Sequence, residues 1–263
     1  MKFYNAFGIK PTNTYTSAGS DYYIPNLDTP EKVQLAYKAF EKSYGKTKED
    51  IEELIIEFIN YFKTSYNKFI TNYEKHIPNL IHLYLSHYSA SLNDLKANDQ
   101  ISAINRFMNE FIIYDKTRDV VGIKMRLNDT LFINSGIKVA LDTVLSEKVA
   151  PNPSNTVNML RMLGIGVAGL YVNKSGNGNK GWDVRACLVD EDYAGFVHLS
   201  MAYTKDVYEN KQNIVYCGDK LTQMILIPVF HDEYIEASED EYNKIMENSQ
   251  RGDKGFGSSD VKH

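Results

Sequence analysis

The residues able to do chemistry in this chain fall into a few short polar segments. Arg251-Gly252-Asp253-Lys254-Gly255-Phe256-Gly257-Ser258-Ser259 combines glycines, cations, an aromatic ring and hydroxyls. Glycines such as Gly257 let backbone N–H groups approach an anion closely, as in phosphate-cradling nests. Arg251 offers a bidentate fork for phosphate, Ser258 and Ser259 add donors, and Phe256 can cover a flat base. On composition alone the same run is a Gly/Ser-rich tail. Val189-Asp190-Glu191-Asp192-Tyr193-Ala194-Gly195 reads as a hairpin tip between alternating strands. There a carboxylate beside a bound triphosphate could activate water as a general base, although a plain acidic turn has the same composition. Asn173 to Gly181, with Lys174, Ser175 and Gly176, is a Gly-rich run that suits phosphate as well as it suits a solvent loop. Gly218-Asp219-Lys220-Leu221-Thr222-Gln223 leads into an apolar strand in which Gln223 is out of place, and Ser17-Ala18-Gly19-Ser20-Asp21 lies near the start.

These segments need a scaffold, and the chain supplies two kinds. From Thr29-Pro30-Glu31, an N-cap followed by Pro at the first helical position, a helix runs to about Tyr44 and Gly45 stops it. Thr47 to Asp50 has capping-box spacing. Apolar residues from Ile51 through Leu54, Phe58, Phe62, Phe69 and Tyr73 to Ile77 then recur in steps of three and four, predicting one long amphipathic helix from Asp50 to about His76. Pro78 is expected to break it, with shorter helices over Leu80–Tyr88 and Asp99–Tyr114. Such a stripe predicts a self-sufficient bundle core with the long helix as its spine. From Val120 the period becomes two: Ile137, Val139 and Leu141, then Trp182, Val184, Ala186 and Leu188, then Val197, Leu199, Met201 and Tyr203 alternate with other residues. Leu221–Phe230 is a nearly continuous apolar strand. Many short strands with turns between them read as an antiparallel sandwich or jelly roll. The expected organisation is a β domain from residues 1–27 and 116–263, with 249–263 a mobile C-terminal lid, and an inserted bundle of three or four helices over 28–115, packed on the outside of the β domain.

Bulk properties narrow the function classes. The net charge of −5 leaves no basic surplus for nucleic acid, and no apolar run reaches the length needed to span a bilayer. The opening MKFYNAFGIKPTNT carries no signal-peptide core, and two cysteines make no disulfide scaffold, so the cytoplasm, or a host's cytoplasm for a viral protein, is the expected location. The histidines lack metal-ligand spacing, and His82 and His87 read as helix-surface residues. Cys187 reads as a small strand residue, with nothing near it in sequence to activate a thiolate.

Taken in order, the polar segments resemble the motifs of the trimeric dUTPase family, bacteriophage members included. Ala18-Gly19-Ser20-Asp21, Lys174-Ser175-Gly176, Cys187 to Gly195, Gly218 to Gln223 and Arg251 to Ser259 are similar to its five motifs, and Ser135-Gly136-Ile137 to a strand start. The resemblance spans both ends of the chain and skips about residues 28–125. It implies a dUTPase-like jelly-roll domain that hydrolyses dUTP to dUMP and pyrophosphate with Mg²⁺, as a homotrimer. By the same resemblance Asp190 would orient and deprotonate the water attacking the α-phosphorus. Tyr193 would pack on the deoxyribose. Backbone groups around Cys187 and Val189 would read uracil. Lys174, Ser175, Gly176 and Gln223 would hold phosphates, and Asp21 would organise the Mg²⁺ environment through water. Arg251, Phe256, Gly257, Ser258 and Ser259 would close over the nucleotide from a neighbouring subunit. Departures from the family pattern are Lys174 and Lys220 for Arg, Thr222 for Ala, Asn177-Gly178-Asn179 for an apolar stretch, and Cys187 for Gly beside the uracil-reading backbone; they bear most on base selectivity. The alternatives are a dCTP deaminase of the same fold, disfavoured by the Arg251–Ser259 run and the Asp190-x-x-Tyr193 spacing, and a regulatory protein that captures a protein partner through residues 28–115.

Overall fold

A computed structural model describes residues 2–13, 19–64, 70, 72–90, 100–141, 162–205, 213–231 and 235–247. The chain opens with β1 (Lys2–Asn5) and β2 (Ser20–Tyr23) and then turns helical. Helix α1 (Pro30–Tyr44) starts and stops on the expected signals. The Thr29 side chain accepts from the Lys32 amide, and Gly45, in the left-handed conformation, returns its N–H to the Glu41 carbonyl. Helix α2 (Lys48–Thr64) is entered through a reciprocal pair: Thr47 Oγ1 accepts from the Asp50 amide at 3.1 Å and Asp50 Oδ2 from the Thr47 amide at 2.7 Å.

The long helix expected to His76 is not continuous. α2 is described to Thr64, Ile70 lies in a bend, Asn72 takes a left-handed conformation, and a 3-10 turn at Tyr73–His76 leads into α3 (Ile77–Ala90), while Phe69 of the expected stripe lies outside the described residues. Pro78 does not break a helix; it lies in the first turn of α3, where its missing N–H has no intrahelical partner to lose. α3 is the spine in its place. Its residues 79–87 are buried without interruption, because α1 and α2 lie on one side of it and strands β4 and β5, defined below, on the other. A helix covered all round loses the amphipathic signature that marks its neighbours. α4 (Gln100–Glu110) buries Ala103, Ile104, Phe107 and Met108, and its expected continuation to Tyr114 is instead a strand.

The remaining strands are β3 (Ile112–Asp115), β4 (Val120–Lys124), β5 (Thr130–Asn134), β6 (Ile137–Ala140), β7 (Ile165–Asn173), β8 (Trp182–Ala186), β9 (Leu188–Val189), β10 (His198–Tyr203), β11 (Ile214–Tyr216) and β12 (Lys220–Phe230), with a short helix α5 (Ser175–Lys180) between β7 and β8. They form sheets ordered β1-β6, β5-β10-β8, β11-β4-β3 and β2-β12-β7-β9. The chain is thus mainly β, with antiparallel pairing and helices α1–α4 between β2 and β3. Helices and strands share one hydrophobic core, running from Phe40, Phe58 and Leu83 to Val121, Ile133, Leu199 and Leu221, rather than two. The segment from Phe230 onward is a second compact unit; it contains α6 (Glu239–Met246), closed by a capping box between Ser238 and Glu241. Among the described residues no helix is long and apolar enough to cross a membrane.

The histidines of α3 correct their surface assignment. His82 is fully buried, stacked on Phe40 at 5.0 Å, and neither ring nitrogen has a hydrogen-bond partner; His87 is buried against Phe111 at 4.4 Å. Burial pushes the His82 pKa down to about 3, helped by the nearby His198, and burial pushes that of His87 down to about 4. Both stay neutral in the folded chain, whereas in the unfolded chain each takes up a proton near its ordinary value of about 6.5. Their contribution to stability is therefore complete above about pH 6.5 and is lost progressively as pH falls toward 3 to 4. Thermal unfolding followed by circular dichroism is expected to show a smaller fall in Tm between about pH 7 and about pH 4.5 for His82→Leu than for the native chain, because the variant has one fewer proton to take up on unfolding. Equal falls would assign the acid sensitivity to other groups.

Candidate functional site

Two clusters of chemistry-bearing residues meet on β7 and its neighbours. The first is charged. On β2, Asp21 faces Gln223 of β12 in antiparallel register, and Lys220 stands opposite Tyr23. Lys174 follows β7 as the residue capping α5. Lys174 Nζ reaches Asp21 Oδ1 at 3.0 Å and Lys220 Nζ reaches Asp21 Oδ2 at 2.9 Å. Segments at residues 21, 174 and 220 are thus tied together by a single carboxylate that is only 8% exposed. Burial raises the Asp21 pKa, but hydrogen bonds and charge from Lys220 and Lys174 outweigh it and hold the carboxyl below the ordinary range. Lys220 is raised in return, chiefly through its hydrogen bond to Asp21.

The backbone around this cluster is fixed by side chains. Asn177 Nδ2 donates to the carbonyls of Lys220 at 2.9 Å and Leu221 at 2.7 Å. Thr222 Oγ1 donates to the Val172 carbonyl at 2.6 Å, so the Thr that departs from the family pattern ties β12 to β7. Asn173 bridges β7 to β8, donating to Asp183 at 3.0 Å and accepting from the Val184 amide at 2.9 Å. Arg118, between β3 and β4, pairs with Asp219 at 2.7 Å. Gly19 is needed because a Cβ there would lie 2.6 Å from the Met224 carbonyl, forcing β2 away from β12. Ser175 and Gly176 occupy the first turn of α5, both exposed beside Lys174.

The second cluster is a cleft of about 280 Å³ lined by Phe132, Ala186 and His198 from the β5-β10-β8 sheet, by Tyr171, Leu188 and Val189 from the β2-β12-β7-β9 sheet, and by Asp190, Tyr193 and Val197. β9 pairs with β7, setting Val189 opposite Gly169 and Leu188 opposite Leu170. The turn after β9 is closed by the Tyr193 amide on the Asp190 carbonyl at 3.2 Å. Tyr193 then folds back so that its hydroxyl donates to the Phe196 carbonyl at 2.8 Å. A Cβ at Gly195 would collide with that hydroxyl, which explains the glycine two residues after the tyrosine. Asp190 is exposed at the rim. Cys187 is exposed too; its carbonyl accepts from the Tyr171 amide at 2.6 Å, and its side chain is not part of the cleft wall.

Of the residues marked in the sequence, Asp21, Lys174 and Gln223 converge at one place and Val189, Asp190 and Tyr193 at another. Arg251, Phe256, Gly257, Ser258 and Ser259 lie outside the described residues, as does Ala18. Sequence reading left Phe132, Tyr171, Val197, His198 and Lys220 out of the site. Phe132 was signalled by phase, since it alternates with buried Leu131 and Ile133 and so points away from the core they fill.

The dUTPase family model matches residues 137–260. A deoxyuridine 5'-triphosphate nucleotidohydrolase of Hydrogenobaculum sp. is 34% identical over 74 residues, 28% of this chain and 44% of that relative. One from a gamma-proteobacterium is 34% identical over 99 residues, 36% of this chain and 64% of that relative. The chain therefore spans about half the length of the relatives it matches. A solved structure of a Staphylococcus bacteriophage 80alpha dUTPase variant with dUpNHpp aligns over 57% of this chain and 90% of that one at 17% identity, with a TM-score of 0.36. Residues 137–260 are thus similar in sequence to the dUTPase family.

Proposed function

We propose that the chain hydrolyses dUTP to dUMP and pyrophosphate. The observation that carries the reading is the joining of Asp21, Lys174, Lys220 and Gln223, from remote parts of the sequence, into one electropositive cluster, with β7 leading from it to the Asp190–Tyr193 cleft. A cleft with apolar and aromatic walls suits a base, and a cluster with two ammonium groups against one carboxylate suits the phosphates. In this reading the pyrimidine enters the cleft and Tyr193 covers the deoxyribose, while Lys174, Lys220, Gln223 and the first turn of α5 at Ser175 and Gly176 hold the phosphates. Asp190 orients a water and takes its proton as the oxygen attacks the α-phosphorus; the bond to the bridging oxygen breaks and pyrophosphate leaves. Positioning and charge neutralisation are the main demands of such a transfer.

Among the described residues no group of His, Cys, Asp and Glu could cage a metal, and both Asp21 oxygens are taken by lysines. The described residues therefore offer no protein cage for Mg²⁺. A Mg²⁺ ion would arrive on the triphosphate oxygens, keeping its waters and neutralising phosphate charge. We assign the assembly as a homotrimer in which the Arg251–Ser259 segment covers a nucleotide held by a neighbouring copy.

Asp190→Asn is expected to bind nucleotide as the native chain does, while pyrophosphate release from dUTP falls by about 10²–10⁴-fold, the usual contribution of a general base. Near-native turnover would move the base elsewhere, and equal turnover of dCTP and dUTP by the native chain would overturn the substrate assignment. Sedimentation is expected to give three times the 30.0 kDa chain mass for both the native chain and a chain lacking residues 250–263. The shortened chain should retain its Tm and lose most of its turnover, as a lid does when it contributes to the bound state alone. A Tm loss in step with the activity would make the segment structural.

A further inference from the structure

The cleft beside Asp190 has one wall that no family motif supplies. Phe132 of β5 and His198 of β10 sit diagonally across an antiparallel pair, His198 opposite Asn134, and their rings stack with centroids 4.4 Å apart and planes 5° from parallel. Behind this pair stands Tyr44, the last residue of α1. β5 is the edge of its sheet, with β10 on one side. On the other side the Tyr44 hydroxyl stands in for a further strand: it accepts from the Asn134 amide at 3.0 Å and donates to the Phe132 carbonyl at 3.2 Å. Ser86 of α3 is a third partner at 3.0 Å, and Ser43 takes the Asn134 side-chain amide at 2.7 Å. The Tyr44 ring also meets the His198 ring edge-on, at 6.3 Å and 82°. The helices between β2 and β3 thus hold the strand that carries the cleft wall, through backbone groups on either side of Ile133.

We infer that the stacked Phe132–His198 pair is the base-facing wall of the cleft, setting which pyrimidine fits, and that Tyr44 is the positioning residue that holds this wall in place. The inference rests on the proposed reading that the cleft takes the base. Its physical content is a fixed slot width. Phe132 cannot retreat while its carbonyl is held by Tyr44, and His198 cannot retreat without giving up the stack. A rigid wall discriminates against an added methyl group, and a single methylene in an apolar pocket is worth about 10–200-fold in selectivity. Burial lowers the His198 pKa, so the wall stays uncharged at neutral pH and presents an aromatic face to a neutral base.

Calorimetric titration with dUMP and with dTMP tests this without turnover. The native chain is compared with His198→Ala, Tyr44→Phe and a control, Tyr61→Phe, whose hydroxyl donates to Asn109 within the helices. The preference for dUMP over dTMP is expected to fall by about tenfold in His198→Ala and in Tyr44→Phe and to hold in Tyr61→Phe. An unchanged preference in His198→Ala overturns the wall, and an unchanged preference in Tyr44→Phe overturns the positioning role. Phe132→Leu, which keeps an apolar side chain on β5, replaces Tyr44→Phe or His198→Ala should either fail to fold and is read the same way. Native dUMP binding without dUTP turnover would overturn the proposed activity alone, and no binding of either nucleotide by the native chain would overturn both.

Discussion

A nearly buried carboxylate shared by two lysines fixes the geometry of the charged cluster. Asp21 could not stay ionised at 8% exposure without compensation, and Lys174, at the start of α5, and Lys220, on β12, supply it. The arrangement fixes three distant segments at once and leaves one positive charge in excess. Removing the carboxylate would leave two ammonium groups facing each other; removing a lysine would leave a buried anion with half its support. Around it, Asn177 of α5 and Thr222 of β12 tie α5 and β7 to β12 through neutral hydrogen bonds, so that side of the cluster is held by bonds that do not depend on charge.

Much of this was legible in the sequence, for reasons that were local. The caps of α1 and the Thr47–Asp50 pair need only a few residues to specify them, and both formed as read. Period-two patterning located β6, β8 and β10, a nearly continuous apolar run located β12, and resemblance to the dUTPase motifs marked Asp21, Lys174, Gln223, Asp190 and Tyr193. What escaped was tertiary. α3 lacks a polar face because it is enclosed, so periodicity underrated it and favoured α2 as the spine. Pro78 has the same identity whether it ends one helix or opens the next, and the left-handed Asn72 just before the 3-10 turn decided between them. Phe132 and His198 lie outside every motif, and only strand pairing sets one ring on the other.

The helices are therefore woven into the β scaffold. α3 lies along β5, Tyr44 completes the edge of that strand, and Asp119, between β3 and β4, receives Lys75, His76 and Tyr114. Arg118, its neighbour, reaches the turn that carries Lys220. Packing in the helices and geometry in both clusters are mechanically linked through short chains of contacts. Tyr44 shows the link in one residue: its ring packs against the core and its hydroxyl holds the backbone of β5.

The pairing of β1 with β6 and of β2 with β12 has a consequence for the birth of the protein. Lys2–Asn5 finds its partner at Ile137–Ala140, and Ser20–Tyr23 finds its partner at Lys220–Met224. A chain emerging from the ribosome carries these strands unpaired through most of synthesis, and α3, which packs on β5, waits for Thr130–Asn134 as well. Loop closure over such separations slows folding and lengthens the time that strand edges stay open. The charged cluster, which needs residues 21, 174 and 220 together, is then among the last features to form.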